Sequence, residues 1–291
     1  NVHNNAIIDL IHRSKPKKDI YMDSNPVIDK MKRGEATVGT WSTTGDPSVV
    51  EILAYMTELD WIVVDFEHNA IDVSTAVNCL RAAQGSGTPM FARVPYGEKV
   101  WIKRILDIGF MGIVAPDVKN AEQAREIVQA AKYAPEGIRG IGSARGQIAY
   151  GDGFYKKANE MTLVVIMIED PIAVDQIDEI MAVPGVDVCF IGPNDLAQNM
   201  GLPIGLDNKH PDHIAAVQKV VDAGKRHGVF TGAHTASGEE AARRIKQGMQ
   251  WFPISSDAGM LKMGVEGQLA QRDAALAGEL DDDGKDGGTF Y

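Results

Sequence analysis

Two short stretches decide the fold: LVVIMI at residues 163–168, followed by Glu169, and VDVCFI at residues 186–191, followed by GPND at residues 192–195. Both are apolar at nearly every position, a pattern typical of strands buried on both faces of a parallel sheet. Each stretch leads into an acid, Glu169 or Asp195. Parallel α/β folds keep their chemistry at the C-terminal ends of the strands, so the pattern predicts an enzyme site around two carboxylates.

The rest of the chain repeats this arrangement of strand and helix. Eight strands are predicted, at residues 37–41, 61–65, 90–94, 111–115, 163–168, 186–191, 229–233 and 251–255. Helical patterns separate nearly all of them, at residues 48–58, 73–84, 99–108, 121–133, 173–182, 211–227 and 238–247. Eight strands alternating with helices predict an α/β fold, the (β/α)8 TIM barrel.

We divide the chain of 291 residues into three segments. They are an N-terminal extension (1–24), the barrel domain with an extra C-terminal helix (25–276), and an acidic, disordered tail (277–291). One connection, between Tyr133 and Leu163, is long and rich in glycine. Such connections are typical of functional loops or subunit contacts. The glycine spacing is only weak evidence for phosphate binding, because no nucleotide fingerprint accompanies it.

Charge and composition exclude several classes of partner. The formal net charge of −11 argues against nucleic acid and against an anionic membrane surface. No run approaches the ~18 apolar residues that a membrane span needs. The first residues lack the apolar segment of a signal peptide, so we expect a cytoplasmic protein. Cys79 and Cys189 lie in apolar runs and are predicted to be buried, free thiols.

Two acids at neighbouring strand ends suit a hard cation. Glu169 and Asp195 follow strands five and six, and no His or Cys accompanies them, which favours Mg²⁺ or Mn²⁺ with oxygen ligands. A 2-oxo acid can fill two further coordination positions, and the metal then stabilises an enolate as a Lewis acid. In the alternative interpretation Asp195 caps a helix and Glu169 is a solvated loop residue.

A base and a cation are predicted beside these acids. His68 follows strand two and is the best candidate base, because an unperturbed imidazole has a pKa of about 6.5. Arg93 ends strand three and would offset negative charge on a carbonyl or carboxylate. Alternatively, His68 caps a turn, and Arg93 pairs with Asp65 or Glu67. His234, after strand seven, is a weaker candidate. No lysine ends a strand, which argues against a Schiff-base aldolase.

Seven motifs stand at these strand ends and in the connections between them: Trp41, DFEH at 65–68, RVP at 93–95, IKRILDIG at 102–109, YAPEGIRG at 133–140, IE at 168–169 and IGPNDL at 191–196. Together they resemble the HpcH/HpaI aldolase family of metal-dependent class II pyruvate aldolases. The resemblance extends from residue 25 to residue 268, which is most of the chain.

The resemblance implies roles for the catalytic residues. Glu169 and Asp195 would hold Mg²⁺, Mn²⁺ or Co²⁺, and His68 would be the base. Asp107 would match the acid that orients this histidine and raises its basicity. Arg93 would match the arginine that stabilises the transition state.

The resemblance also implies a substrate site made of Trp41, Arg93, Met167, Asn194 and Asp195. The backbone around Asn194 and Asp195 would bind the pyruvate carboxylate. Position 167 departs from the family, which usually has Gln there in contact with the keto acid. A thioether cannot donate a hydrogen bond to a carboxylate. Either the substrate is held differently, or pyruvate is not the native nucleophile.

Family members are similar in being hexamers, built from dimers that exchange the C-terminal helix. We therefore expect a homohexamer, a trimer of dimers. The last predicted helix, with Leu261, Met263 and Val265, fits such an exchange because no strand follows it.

The leading hypothesis is a carbon–carbon lyase that cleaves a 4-hydroxy-2-oxo acid. Its products would be pyruvate, or a related 2-oxo acid, and an aldehyde, formed through a divalent-metal enolate. A second hypothesis applies the same chemistry to oxaloacetate decarboxylation or to condensation with another electrophile, and Met167 favours it. A non-catalytic relative and a metal-free barrel enzyme are the remaining hypotheses.

Overall fold

Eight parallel strands close into a barrel in sequence order, in a computed structural model that describes residues 24–277. They are β1 (Thr37–Ser42), β2 (Trp61–Asp65), β3 (Met90–Arg93), β4 (Gly112–Ala115), β5 (Leu163–Ile168), β6 (Val188–Ile191), β7 (Phe230–Ala233) and β8 (Trp251–Ser256). The predicted TIM barrel is confirmed, and each strand begins and ends within two residues of its predicted bounds. The predicted extension and tail lie outside the described residues, apart from Ser24 and Ala277.

Thirteen helices accompany the strands in the described part of the chain. They are α1 (Pro26–Lys32), α2 (Pro47–Met56), α3 (Val73–Ala82), α4 (Lys99–Asp107), α5 (Ala121–Ala131), α6 (Ala144–Tyr150), α7 (Phe154–Met161), α8 (Pro171–Asp175), α9 (Ile177–Met181), α10 (Pro193–Asn199), α11 (Pro211–His227), α12 (Gly238–Gln247) and α13 (Asp257–Ala277).

Four differences from the predicted helices have local causes. The helix predicted at residues 173–182 is divided into α8 and α9 at Gln176. Helices α6 and α7 lie in the glycine-rich connection, where the Ser143 side chain caps α6 by accepting a hydrogen bond from the Gly146 N–H. Helix α10 begins with Pro193, whose fixed φ suits the first helical position. All of these helices have only five to eight residues, too few to show a clear periodicity.

The barrel interior is filled with large apolar side chains. Trp61 of β2 and Trp251 of β8 stack with ring centroids 4.0 Å apart and planes 5° from parallel. Gly39 of β1 makes room for this pair, because a Cβ at residue 39 would collide with the Trp61 ring. Full burial of a large apolar side chain stabilises a fold by roughly 1.5–3 kcal/mol. A second apolar layer lies between the outer faces of the strands and the helices.

The parallel strands give the barrel two distinct ends. All the C-terminal ends of the strands open at one end, which we call the mouth. The helix that precedes each strand runs back alongside the barrel, so its last residues lie at the opposite end, which we call the far end. Chemistry in this fold is found at the mouth.

The final helix, α13, is exposed over nearly its whole length. Its first residue, Asp257, is buried and accepts hydrogen bonds from the backbone N–H and side-chain hydroxyl of both Thr43 and Thr44. Beyond it, Leu261, Met263 and Val265 are more than half exposed. Within residues 24–277, none of the helices combines the length and the apolar character that a membrane crossing requires.

Candidate active site

The mouth holds a cavity of about 450 Å³. Every predicted site residue except Asp107 lines it, namely Trp41, His68, Arg93, Met167, Glu169, Asn194 and Asp195. These residues come from β1, β3, β5, α10 and the loops that follow β2 and β5. The closed barrel therefore brings together residues that are far apart in the chain.

Glu169 is enclosed by its neighbours, with only 7% of its surface exposed. Its Oε2 accepts a hydrogen bond of 3.1 Å from the Asp117 N–H, which the left-handed backbone of Asp117 (φ 53°) directs towards it. Burial raises the pKa of Glu169 to about 7, and the negative charges of Asp195 and Glu67 add to the rise. The interpretation as a solvated loop residue is therefore wrong. A cation bound here would remove much of the cost of this buried charge.

Gly192 gives the Glu169 carboxylate its space. A Cβ at residue 192 would lie 2.5 Å from Oε1 of Glu169 and 2.8 Å from its Cγ. Gly192 is also the N-cap of α10, and no side chain caps that helix. Asp195 is the third helical residue rather than the N-cap, so the alternative capping role is excluded.

The donor atoms at this point fit a hard divalent cation. Glu169 and Asp195 contribute carboxylate oxygens, and the neighbouring Asn194 Oδ1 is buried without a hydrogen-bond partner among the described residues. Oxygen donors of this kind are the ligands that Mg²⁺ and Mn²⁺ prefer. No group of three or more His, Cys, Asp and Glu side chains within residues 24–277 is arranged to hold a metal ion. The fit therefore depends on two carboxylates, with the other positions left for water and substrate.

Arg93 is held in the cavity wall by two acids. Its Nε and Nη2 each donate a 2.7 Å hydrogen bond to the Asp65 carboxylate, and Nη1 lies 3.2 Å from Glu67 Oε2. The guanidinium also lies over the Trp41 ring, 4.6 Å from its centroid. Both ion pairs that the sequence offered as alternatives are present. They leave Arg93 in the cavity wall, where it can still face a substrate oxygen.

His68 stands at the rim of the cavity. Its side chain is 62% exposed, and its Nε2 lies 3.5 Å from Glu67 Oε2. Burial raises the pKa of Glu67, a rise that the positive charge of Arg93 opposes. Glu67 therefore lies between His68, the candidate base, and the guanidinium of Arg93. The exposed imidazole lines the cavity and is accessible to a ligand bound there.

Asp107 is not part of this mouth. It is the last residue of α4 and so lies at the far end, where its Oδ1 accepts a 2.8 Å hydrogen bond from Arg139. Its carbonyl oxygen accepts a further hydrogen bond from the Ser143 hydroxyl. The glycine-rich connection that carries Arg139 and Ser143 also lies at this end. Within one chain Asp107 cannot orient His68.

Two features of the mouth were missed or underestimated from the sequence. The Asp117 N–H was missed because every residue except proline has a backbone N–H, so residue type does not indicate which one donates to a functional group. His234 also lines the cavity, and its Nδ1 accepts a 2.9 Å hydrogen bond from Trp41 Nε1. Its position directly after a strand was the available signal. The floor between them is apolar, formed by Met167 and Phe190, which pair across β5 and β6.

Comparisons with known proteins agree with this geometry. The family model described as HpcH/HpaI aldolase/citrate lyase matches residues 37–262. The chain is 34% identical over 235 residues to a 5-keto-4-deoxy-D-glucarate aldolase of Salmonella arizonae, a match that covers 80% of this chain and 90% of that protein.

Two solved structures have the same fold at similar identity. An HpcH/HpaI aldolase/citrate lyase family protein from Burkholderia cenocepacia is 28% identical, with a TM-score of 0.79 over 86% of this chain and 100% of that one. The citrate synthase SbnG is 29% identical, with a TM-score of 0.76 over 86% and 98%. These matches confirm the family and the aldolase class of enzyme predicted from the motifs: the chain belongs to the HpcH/HpaI aldolase/citrate lyase family.

Proposed function

We propose that this protein is a divalent-metal-dependent carbon–carbon lyase that cleaves a 4-hydroxy-2-oxo acid into an aldehyde and pyruvate or a related 2-oxo acid. The observation that carries the proposal is the pair Glu169 and Asp195 in one cavity with Arg93 and His68. Similarity to a 5-keto-4-deoxy-D-glucarate aldolase supports the substrate class, because that substrate is itself a keto acid. We expect the enzyme to act in the cytoplasm.

Glu169 and Asp195 would hold the metal, which we propose to be Mg²⁺, Mn²⁺ or Co²⁺. When bound, such a cation supplies Lewis-acid stabilisation of negative charge on a carbonyl oxygen of the substrate. The Asp117 N–H and the space at Gly192 keep Glu169 turned into the cavity. Asn194 and Asp195 would also contact the carboxylate of the keto acid, and Trp41 and Met167 would form the surface on which it lies.

Two side chains would do the rest: Arg93 would stabilise negative charge, and His68 would transfer a proton. Arg93, fixed by Asp65, offers a positive charge to the oxygen on which negative charge develops as the C3–C4 bond breaks. His68 accepts the proton of the 4-hydroxyl group while the aldehyde forms. The bond electrons pass to C3 and the C2 carbonyl, and the protonated His68 then gives its proton to C3 to complete the 2-oxo acid and restore the neutral base.

The proposed role of Asp107 needs a second subunit. Because Asp107 lies at the far end of its own barrel, it can meet a His68 only across an interface between chains. Exposed Leu261, Met263 and Val265 on α13 support exchange of this helix in a dimer. We therefore retain the homohexamer, a trimer of dimers, as part of the proposal.

Deuterium exchange tests the proposed chemistry without knowledge of the aldehyde. The purified protein is incubated with Mg²⁺ and pyruvate in D₂O, and the methyl signal is followed by NMR. We expect exchange that requires Mg²⁺ and is lost in His68→Asn. The matched control His227→Asn, at the C-terminus of α11, should exchange like wild type. Wild-type protein that binds Mg²⁺ and pyruvate but exchanges no methyl hydrogen would exclude enolate formation.

A second candidate function keeps this site and changes the reaction. The apolar Met167 side chain and the similarity to the citrate synthase SbnG favour decarboxylation of oxaloacetate or condensation with another electrophile. Parallel assays with a panel of 4-hydroxy-2-oxo acids and with oxaloacetate separate the two. A higher kcat/KM for oxaloacetate than for every hydroxy-oxo acid would replace the first proposal by the second.

A further inference from the structure

His234 occupies a position in the mouth that the proposed mechanism does not use. It follows β7, and its backbone N–H donates a hydrogen bond of 3.3 Å to the Ile191 carbonyl at the end of β6. Its ring lines the same cavity as Glu169 and Arg93. This places an imidazole beside the strand that leads to Asp195.

The hydrogen bond from Trp41 fixes which nitrogen of His234 carries the proton. An indole Nε1 can only donate, so His234 Nδ1, 2.9 Å away, must be the acceptor. The planes of the two rings are nearly parallel, 9° apart, and Trp41 is buried. Burial and the positive charge of Arg93 lower the pKa of His234 to about 4, so the ring is neutral near pH 7. The proton of the neutral ring therefore lies on Nε2.

The described part of the chain offers the Nε2–H of His234 no hydrogen-bond partner. Within residues 24–277 this nitrogen makes no hydrogen bond to any group, although the ring lines the cavity. The neighbouring floor, Met167 and Phe190, offers only the thioether sulfur of Met167, which is a weak acceptor. A donor in a partly buried site is satisfied by water or by a ligand.

We propose that His234 is a substrate-binding residue whose Nε2–H donates a hydrogen bond to an oxygen of the bound 2-oxo acid. Trp41 is the positioning residue that keeps the proton on Nε2. The inference depends on the proposed function for the identity of the ligand. It gives the cavity a neutral donor near its apolar floor, where Met167 supplies none. The guanidinium of Arg93, in contrast to the Nε2–H of His234, already has protein partners, Asp65 and Glu67.

Substitutions separate the hydrogen bond from the shape of the site. His234→Leu removes the donor, and we expect KM for the 2-oxo acid in the aldol direction to rise about 10-fold, with a smaller change in kcat. His234→Gln keeps an N–H at a similar reach and should recover most of the affinity. The control His227→Leu removes an imidazole at the far end and should leave KM unchanged. An unaltered KM in a folded, active His234→Leu enzyme would overturn the proposal.

NMR of the wild-type histidine side chains tests the same point without substitution. In the ¹⁵N-labelled protein we expect His234 as the Nε2–H tautomer, and a mixture of tautomers in Trp41→Phe. Saturation with Mg²⁺ and pyruvate should shift the Nε2 resonance and slow exchange of its proton with water. An Nδ1–H tautomer in wild type, or an unchanged His234 signal while other cavity residues shift, would overturn this inference alone. No pyruvate-dependent shift anywhere would count against the proposed function itself.

Discussion

Two arginines, one partly buried at the mouth and one buried at the far end, have nearly the same immediate surroundings. Arg93 at the mouth donates hydrogen bonds of 2.7 Å to Asp65 and lies 4.6 Å from the Trp41 ring centroid. Arg139 at the far end donates a hydrogen bond of 2.8 Å to Asp107 and lies 4.6 Å from the Tyr133 ring centroid. An aspartate partner and an aromatic face therefore do not distinguish a catalytic arginine from a structural one.

The difference lies in the charge around each arginine. At the far end Arg139 and Asp107 balance one another. At the mouth Arg93 faces Asp65 and Glu67, and the charges of Glu169 and Asp195 complete an excess of acid around one cation. Such an excess is costly at a partly buried site unless another cation binds. Unbalanced charge beside a cavity, rather than any single pair, therefore distinguishes the proposed metal site.

Removal of one acid from the mouth should have the largest effect. Glu169→Gln keeps the size of the side chain and removes the proposed metal ligand. We expect Mn²⁺ affinity, measured by isothermal titration calorimetry, to fall by more than about 100-fold. Lyase activity should fall by more than about 1,000-fold. The free energy of unfolding without metal should not decrease, because a costly buried charge has been removed.

Glu160→Gln is the matched control for this change. Glu160 is an exposed residue near the end of α7, so its loss should alter neither Mn²⁺ binding nor activity. Tight Mn²⁺ binding in Glu169→Gln would contradict the proposal that the excess of negative charge at the mouth binds the metal.

The next prediction exchanges each arginine for lysine. Lysine keeps the positive charge but cannot make the two parallel hydrogen bonds that Arg93 makes to Asp65. We expect Arg93→Lys to lower kcat by about 100- to 1,000-fold, since the charge no longer meets the reacting oxygen in the same place. Arg139→Lys should instead lower the free energy of unfolding by about 1–2 kcal/mol, measured by urea denaturation.

The two variants together test whether only the arginine at the mouth takes part in catalysis. Equal losses of kcat, with unfolding unchanged in Arg139→Lys, would place the far-end arginine in a catalytic centre shared between subunits. In that case Arg139 would join Asp107, to which it donates a hydrogen bond, in the shared site that we propose for His68 of a neighbouring chain.

Most of the fold and of the site could be predicted because the strands, and the residues directly after them, are visible in short stretches of sequence. Strand ends in a parallel barrel meet at one mouth, so His68, Arg93, Glu169 and Asp195 could be grouped by their position after strands alone. The position of Asp107 follows from the same topology. A helix that leaves the mouth after β3 must end at the far end, and the family resemblance gave a role to this residue without its location.

What the sequence could not provide are contacts across the barrel. Trp41 and His234 are 193 positions apart, and the tautomer of His234 depends on the hydrogen bond between them. The N–H that donates to Glu169 belongs to the backbone of Asp117, which has a left-handed conformation. Asp tolerates this conformation, but its presence in a sequence does not predict it. Such details arise from packing after the strands are in register.

A smaller effect concerns stability in acid. The folded-state pKa of His234, about 4, is below the unfolded value of about 6.5, so folding favours the neutral ring. The stability that this ring contributes is present above pH 6.5 and is lost as the pH falls towards 4. Between pH 7 and 4.5 wild type should lose on the order of 2 kcal/mol more than His234→Gln, which does not titrate.

Urea denaturation of the two proteins at both pH values measures this difference directly. The other titrating groups are common to both proteins and largely cancel in the comparison. Equal losses would mean that His234 is accessible to protons in the folded state, which would weaken the argument for a fixed Nε2–H tautomer.

The smallest expected effect tests how closely the mouth is fitted around Glu169. In Gly192→Ala the new Cβ would lie 2.5 Å from Glu169 Oε1, so the carboxylate must move while every charge remains. We expect Mn²⁺ affinity to fall about 10-fold by calorimetry. Gly238→Ala is the control, because residue 238 begins α12 and a Cβ there meets nothing within 4 Å. Unchanged affinity in Gly192→Ala would mean that the excess of negative charge attracts the cation wherever the Glu169 oxygens stand, whereas a selective loss would show that their position also matters.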